Sequence, residues 1–204
     1  MKAQKWFLHI SLLAAALLLA LFVKVGSSRA CVGRTIYIGY YPSEQEQVIM
    51  SRILTVFIDE RTGTTVKLVK LKSRDEAYDL LRRDRVSILV DYAGNLLKAY
   101  GRKTGEELPL SDFPEVKGKV ARALGAVIVG APGFDSAVSG RGENLGRAVI
   151  LLSRKMLSRF PAMPRLLRKL RGTLPNESLV RLLEEGGDKA EKVARSFLKK
   201  RKLI

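Results

Sequence analysis

Apolar and polar residues follow one another in blocks from residue 35 onward, and the blocks have the lengths of strands and helices. Short runs rich in β-branched residues predict five strands, over residues 35–39, 64–71, 86–90, 126–129 and 147–152. The first of these runs ends at Gly39, which is typical of a strand that stops at a tight turn.

Apolar stripes at helical spacing lie between these runs. The first predicted helix starts at Ser43, with Glu46 at the capping-box position, and ends at Gly63. The second starts at Ser73, again with a glutamate three residues later, Glu76. Further helices are predicted over residues 95–100, 114–124, 153–160, 163–170, 176–185 and 188–200, with loops over 101–112 and 133–146. Alternating strands and helices predict a parallel sheet covered on both faces, with ligands bound beyond the carboxyl ends of its strands.

The first thirty residues have a different pattern. Lys2 and Lys5 precede an apolar run over residues 6–23, which as a helix is about 27 Å long and close to the thickness of a bilayer core. Residues 1–30 are therefore predicted to be a signal peptide or a membrane anchor, and the chain to be extracytoplasmic. Cleavage, lipidation at Cys31 and retention as an anchor all stay open.

Charge is the unusual feature of the composition. The 204 residues hold 37 Lys and Arg against 20 Asp and Glu, a net charge of +17. Residues 147–204 contain sixteen of the basic residues and five of the acidic ones, so most of the excess lies in the C-terminal part. Such an excess indicates an anionic membrane surface, nucleic acid or only a solvated helical surface. For an exported chain, lipid headgroups are the better match.

Enzyme chemistry has little support in this sequence. The one histidine, His9, lies inside the apolar run, so a nucleophile–histidine pair is excluded, and the one cysteine rules out an internal disulfide. No glycine-rich phosphate loop and no set of metal ligands is recognisable. We therefore expect a non-enzyme without cofactor or metal.

Several short segments in order resemble a known family. They are residues 36–39, 46–50, 62–66, 91–95, 124–135 and 192–199, the fourth of which reads Asp-Tyr-Ala-Gly-Asn. This succession resembles the glycine betaine/choline/proline-binding proteins of osmoprotectant ABC importers. The resemblance implies the type II periplasmic-binding-protein fold and an α/β class.

The resemblance also implies a difference from that family. Its members close two α/β lobes on the ligand, and the second lobe is inserted ahead of the C-terminal helices. In this chain only residues 136–146 lie between the segment 124–135, which resembles the family's return segment, and the C-terminal part of the chain. A lobe needs on the order of a hundred residues. We therefore expect a single lobe over residues 31–204, with a mostly parallel sheet and the basic helices of residues 153–204 packed on it.

The resemblance supplies the candidate substrate-binding residues. Tyr92 matches the family's signature tyrosine, Asn95 stands where the family has a threonine, and Tyr40 or Tyr41 falls where a lysine is expected. Asp135 belongs to the same implied set, and the tyrosine expected after it is missing. Aromatic faces hold quaternary ammonium groups by cation–π attraction, about 0.5–2 kcal/mol each. With so few of them, the isolated chain is expected to bind weakly.

Two functions from different classes follow. The first is the substrate-binding component of an ABC importer for quaternary ammonium osmoprotectants, truncated or degenerate, working with a permease and with a second-lobe partner or a second copy. The alternative is a membrane-tethered, non-catalytic interaction module that binds a permease, another protein or anionic lipid. Nucleic-acid binding is a third hypothesis only if the leader is not an export segment, and we expect no such partner.

Overall fold

The computed structural model describes residues 35–140 and 142–204, and within them the chain alternates strands and helices as predicted. The strands are β1 (Ile36–Tyr40), β2 (Val66–Lys70), β3 (Ile88–Tyr92), β4 (Ala126–Gly130) and β5 (Ala148–Ser153). The helices are α1 (Gln45–Thr62), α2 (Arg74–Arg82), α3 (Ala93–Thr104), α4 (Phe113–Ala123), α5 (Arg154–Arg159), α6 (Met163–Leu167), α7 (Asn176–Gly186) and α8 (Ala190–Lys200). Short 3-10 turns cover Leu110–Asp112, Ser136–Ser139, Arg168–Leu170 and Gly187–Lys189.

The five strands form one sheet in the order β2-β1-β3-β5-β4. Strand β1 pairs in parallel with β2 and with β3, so that Ile38 stands opposite Leu68 on one side and Ile88 on the other. Strand β5 is antiparallel to both of its neighbours, β3 and β4. The mostly parallel sheet is thereby confirmed, with β5 as the exception. A parallel pairing of β4 with β5 would need a crossover, and the connection between them holds only one 3-10 turn.

Helices cover both faces of the sheet, as predicted. Side chains alternate along β3, so that Ile88 and Val90 face one way and Leu89 the other. The first face, here called the α1-side core, packs against α1, α7 and α8 through residues such as Phe57, Leu179 and Leu198. The second face, the α3-side core, packs against α2, α3 and α4 through Leu81, Leu96 and Val120.

The two predicted capping boxes have different outcomes. Ser73 caps α2, and its Oγ accepts a hydrogen bond from the Glu76 amide at 3.2 Å. Ser43 does not cap α1, so that prediction is wrong. The N-cap of α1 is Glu44, whose buried carboxylate is bound to Arg74 instead, while Ser43 is exposed. Gly63 ends α1 in the left-handed conformation, as predicted.

The described residues contain a single lobe. Between β4 and β5 the chain makes the 3-10 turn at Ser136–Ser139 and returns, and the Asp135 and Arg147 backbones form an antiparallel bridge. No helix in residues 35–140 and 142–204 combines the length and the apolar composition needed to cross a membrane. The predicted leader over residues 1–30 lies outside the described residues.

Candidate functional site

The candidate site lies where β1 and β3 end. The chain leaves β1 for β2 on one side of it and later returns as β3 on the other side, so the strand order reverses between these two neighbours. In open α/β sheets, ligands bind in the crevice at such a reversal, beyond the carboxyl ends of the strands. Tyr40 is the last residue of β1 and Tyr41 follows it, and the Tyr92–Asn95 segment runs directly from β3 into α3.

Arg74, at the start of α2, is the centre of a group of polar side chains at this edge. Its guanidinium binds the Glu44 carboxylate with both terminal nitrogens, and the Nη2–Oε2 distance is 2.8 Å. Its Nε lies 3.6 Å from Oδ2 of Asp91. The same guanidinium stacks on the Tyr41 ring, 4.0 Å from the ring centroid. We call this group, with Tyr78 and Asn95, the Arg74 cluster.

Asp91 is the most buried member of the cluster, with no exposed side-chain surface. Its carboxylate accepts hydrogen bonds from the Tyr78 hydroxyl at 2.7 Å, the Asn95 amide at 2.7 Å and the Tyr92 backbone N–H at 2.8 Å. Burial raises the pKa of Asp91 above its ordinary value, and the Arg74 charge and these three donors act against that rise. The acid is thus held in a fixed orientation by three elements of the fold.

Two buried polar groups near the end of β1 have no hydrogen-bond partner among the described residues. They are the Tyr41 hydroxyl and Nε2 of Gln47, whose residues are 2% and 1% exposed. Burial, together with the nearby Asp91 charge, raises the pKa of Tyr41 and keeps its hydroxyl protonated as a donor. Nε of Arg74 is also buried without a hydrogen bond. Arg74 Nε faces the Asp91 carboxylate. Buried groups are almost always satisfied, so the other two donors, close to one edge, indicate a place for a polar ligand or water.

Tyr92 lies on the other side of the sheet. Its ring is fully buried in the α1-side core and contacts Phe134 edge-to-face, with ring centroids 6.2 Å apart. Its hydroxyl donates to Oε1 of Glu46 at 3.2 Å. Both faces of this edge therefore carry a buried tyrosine, Tyr41 on the α3 side and Tyr92 on the α1 side.

Asp135 takes part in chain architecture in this structure. Its Oδ1 accepts from the Ala137 amide and from Nδ2 of Asn176, each at 3.0 Å. Its own backbone N–H donates to Oδ1 of Asn176, also at 3.0 Å. These bonds tie the turn after β4 to the start of α7.

The five predicted residues thus fall into separate places along one edge of the sheet. Tyr41 and Asn95 belong to the Arg74 cluster, Tyr40 is half-buried at the end of β1, and Tyr92 and Asp135 lie on or beside the α1-side core. Their role in binding stays a prediction. Sequence reasoning missed Arg74, Glu44 and Tyr78 altogether. Asp91 carried a signal, because a carboxylate inside an otherwise apolar strand needs buried partners.

The surface of the described residues has one groove that none of the five predicted residues lines and another that Asp135 lines. An open groove of ≈ 790 Å³ follows α3 and is lined by residues such as Leu97, Arg102 and Asn144, and none of the five predicted residues lines it. Asp135 lines a second groove of ≈ 500 Å³ with Glu143 and Arg147. Across the described residues, no group of three or more His, Cys, Asp or Glu side chains is placed to hold a metal ion.

Comparison with solved structures shows the class of fold: the chain has the fold of the solute-binding proteins of ABC transporters. It superposes on a glycine betaine/carnitine/choline ABC transporter protein with a TM-score of 0.67 and 16% identity, covering 83% of this chain and 98% of that one. For apo YehZ from Escherichia coli the TM-score is 0.67 at 10% identity, covering 84% and 100%. For lactococcal OpuAC, in its closed-liganded conformation with glycine betaine, it is 0.55 at 8% identity, covering 83% and 96%.

Sequence comparison adds nothing to this result. No protein-family model matches the chain, and no curated protein does. The resemblance stated from the short segments is confirmed at the level of the fold, which is the binding-protein fold that those segments implied.

Proposed function

We propose that this chain is the extracytoplasmic substrate-binding component of an ABC-type importer for small quaternary ammonium solutes such as glycine betaine and choline, or for proline. The observation that carries the proposal is the position of the Arg74 cluster. It places the Tyr41 hydroxyl, a buried donor without a hydrogen-bond partner among the described residues, at the reversal of strand order in a fold shared with a protein solved in complex with glycine betaine. The proposed location at the cell surface follows from this function and from the apolar run of residues 6–23.

The chemistry of such a solute needs two kinds of contact. A carboxylate tail needs fixed donors, and the Tyr41 hydroxyl and Gln47 Nε2 are donors of that kind. A quaternary ammonium group needs open aromatic faces. Here Arg74 already stacks on Tyr41, and Tyr92 is buried against Phe134, which leaves the half-buried Tyr40 as the accessible ring among the predicted residues.

The small number of accessible aromatic rings limits the affinity for such a solute. One or two cation–π contacts supply roughly 1–4 kcal/mol, whereas millimolar binding alone corresponds to ~4 kcal/mol. The isolated chain should therefore bind such solutes weakly, with dissociation constants of millimolar order. We propose that a second-lobe partner, a second copy or the permease completes the site and raises the affinity.

Thermal unfolding with added solute tests this function, since a ligand stabilises the fold by RT ln(1 + [L]/Kd). Glycine betaine, choline, carnitine and proline should each be titrated to the order of tens of millimolar, with sucrose as a control for general osmolyte stabilisation. We expect a small, saturable rise in Tm for at least one solute beyond the sucrose effect. No rise for any of them refutes the solute class, and a micromolar Kd for the monomer refutes the incomplete site.

A pair of tyrosines on the same strand provides the matched variants. Tyr40→Ala removes the accessible ring at the carboxyl end of β1, and Tyr37→Ala removes an exposed ring near its amino end. The solute-dependent rise should disappear in Tyr40→Ala and persist in Tyr37→Ala. Loss of the rise in both variants would place binding somewhere other than the carboxyl edge.

A further inference from the structure

The segment between β5 and α7 is rich in basic residues and contains no acidic ones. Residues 154–175 contain seven Arg and Lys and no Asp or Glu. Within them, apolar side chains point into the α1-side core, namely Met156, Phe160, Met163, Leu167, Leu170 and Leu174. The intervening positions are left to face away from the sheet.

Six of the basic side chains occupy those outward positions, and all six are exposed. We call them the basic strip: Arg154, Lys155, Arg165, Arg168, Lys169 and Arg171. None of the six is in an ion pair with any residue of the described ranges 35–140 and 142–204. Arg159, in the same segment, differs because it is half-buried and bound to Asp84 at 2.7 Å. The fold has therefore placed one arginine in an internal role and left six cations to solvent.

The strip runs along an edge strand. It begins where the Arg154 amide donates to the Gly125 carbonyl, just before β4, and ends where the Gly172 amide donates to the Ala131 carbonyl, just after it. Six residues of extended chain separate these two contacts, a length of about 20 Å. Six unpaired positive charges thus line about 20 Å of one rim of the molecule.

We propose that the basic strip binds the anionic phospholipid surface of a membrane. An array of cations on a rigid rim matches a flat layer of phosphate headgroups in both charge and shape. The apolar run of residues 6–23 has the length and composition of a membrane anchor, which agrees with a membrane partner for this chain. Strand β2, at the other end of the sheet, contributes the exposed Lys67 and Lys70 with uncharged residues between them.

The magnitude follows from the number of cations. Each Lys or Arg close to an anionic leaflet strengthens binding by roughly fivefold, so three of them account for on the order of a hundredfold at low salt. The attraction must weaken as salt rises, because the Debye length falls to about 8 Å at physiological ionic strength.

Vesicle co-sedimentation of the full chain tests the proposal, with phosphatidylcholine vesicles against phosphatidylcholine mixed with phosphatidylglycerol. The test variant is Arg165→Ala/Arg168→Ala/Lys169→Ala, and the matched control is Lys67→Ala/Lys70→Ala/Lys72→Ala at the opposite edge of the sheet. Both remove three exposed cations and leave the leader unchanged, so any binding of the leader cancels in the comparison.

We expect the preference for phosphatidylglycerol vesicles to fall by more than tenfold in the strip variant and by less than about threefold in the control. Equal losses in the two variants would assign the effect to net charge and overturn the proposal, as would the absence of any preference in the unaltered chain. Tighter binding to duplex DNA than to the anionic vesicles at equal salt would also overturn it. Should the triple variant unfold, Arg154→Gln/Lys155→Gln replaces it, with an expected loss of at least fivefold.

Discussion

Replacing Arg74 by methionine is the perturbation that most directly tests the electrostatics of the Arg74 cluster. The substitution keeps much of the apolar stem against Tyr41 and removes the charge that faces Asp91 at 3.6 Å. Asp91 has no exposed side-chain surface, so its ionised form then lacks its cationic partner in the interior. A buried charge left without its partner is strongly destabilising.

The size of the effect follows from the distance and the exposure. Two unit charges about 4 Å apart interact by ~4 kcal/mol at an effective dielectric constant near 20. The Arg74 side chain is 24% exposed, and solvent screening reduces the net coupling to about 2 kcal/mol. Loss of the Glu44 pair adds to this, so Arg74→Met should lower the free energy of unfolding by about 3 kcal/mol in total.

A double-mutant cycle with Asp91→Asn isolates the Arg74–Asp91 coupling. Asparagine keeps an oxygen for the Tyr92 and Asn95 donors and removes the charge. In the Asp91→Asn background, Arg74→Met should cost about 1 kcal/mol, the part that belongs to Glu44. Urea denaturation of the four proteins gives the coupling energy. Equal costs of Arg74→Met in both backgrounds would refute the assignment of Asp91 as the partner.

The pH dependence gives a second, independent readout. Burial raises the folded-state pKa of Asp91, so the folded state binds more protons than the unfolded state between the two pKa values. The stability that protonated Asp91 contributes is therefore fully present below the pKa that Asp91 has in the unfolded chain. It is lost as pH rises through the pKa that Asp91 has in the folded chain. Removal of the Arg74 charge raises the folded pKa further, so the cost of Arg74→Met should increase from pH 5 to pH 7. If the destabilisation caused by Arg74→Met instead decreases from pH 5 to pH 7, the assigned direction of the Asp91 pKa shift is wrong.

The remaining predictions concern local backbone features. Ser73→Ala should destabilise the protein by about 1 kcal/mol through loss of the α2 cap, whereas Ser43→Ala, at an exposed position that caps nothing, should change the urea midpoint little. Gly133→Ala should cost about 3 kcal/mol, because φ is +130° and the added Cβ would lie 3.0 Å from the Leu174 carbonyl oxygen. Gly63→Ala, at φ +63° in open space, should cost about 1 kcal/mol, so similar denaturation midpoints for the two glycine variants would contradict this account.

The strands were predictable because their signals are local. Five β-branched runs, each only a few residues long, are sufficient to locate β1 to β5 to within about two residues. The antiparallel direction of β5 was not predicted, because direction depends on the connection that precedes the strand rather than on its own residues. That connection contains no crossover helix, and the sequence pattern of residues 133–146 already indicated a loop, which favours an antiparallel pairing of β4 with β5.

The Arg74 cluster could not be predicted from local pattern. Arg74 and Glu44 are thirty residues apart, and each taken alone resembles an ordinary charge near a helix start. Their pairing arises only when α1 and α2 both begin at the carboxyl edge of the sheet. The incorrect prediction of Ser43 as the cap of α1 has the same origin. The N-cap is Glu44, which is bound to Arg74, and Ser43 is exposed to solvent.

The closure of the turn between β4 and β5 has a consequence for how this architecture can be extended. The Ser136 amide donates to the Gly146 carbonyl at 3.0 Å and the Ala148 amide to the Phe134 carbonyl at 3.0 Å, so the chain departs and comes back through adjacent points. A folded unit with neighbouring termini could be spliced in after Ser139 while every strand kept its register. Addition or removal of a whole module there requires no rebuilding of the scaffold beneath it.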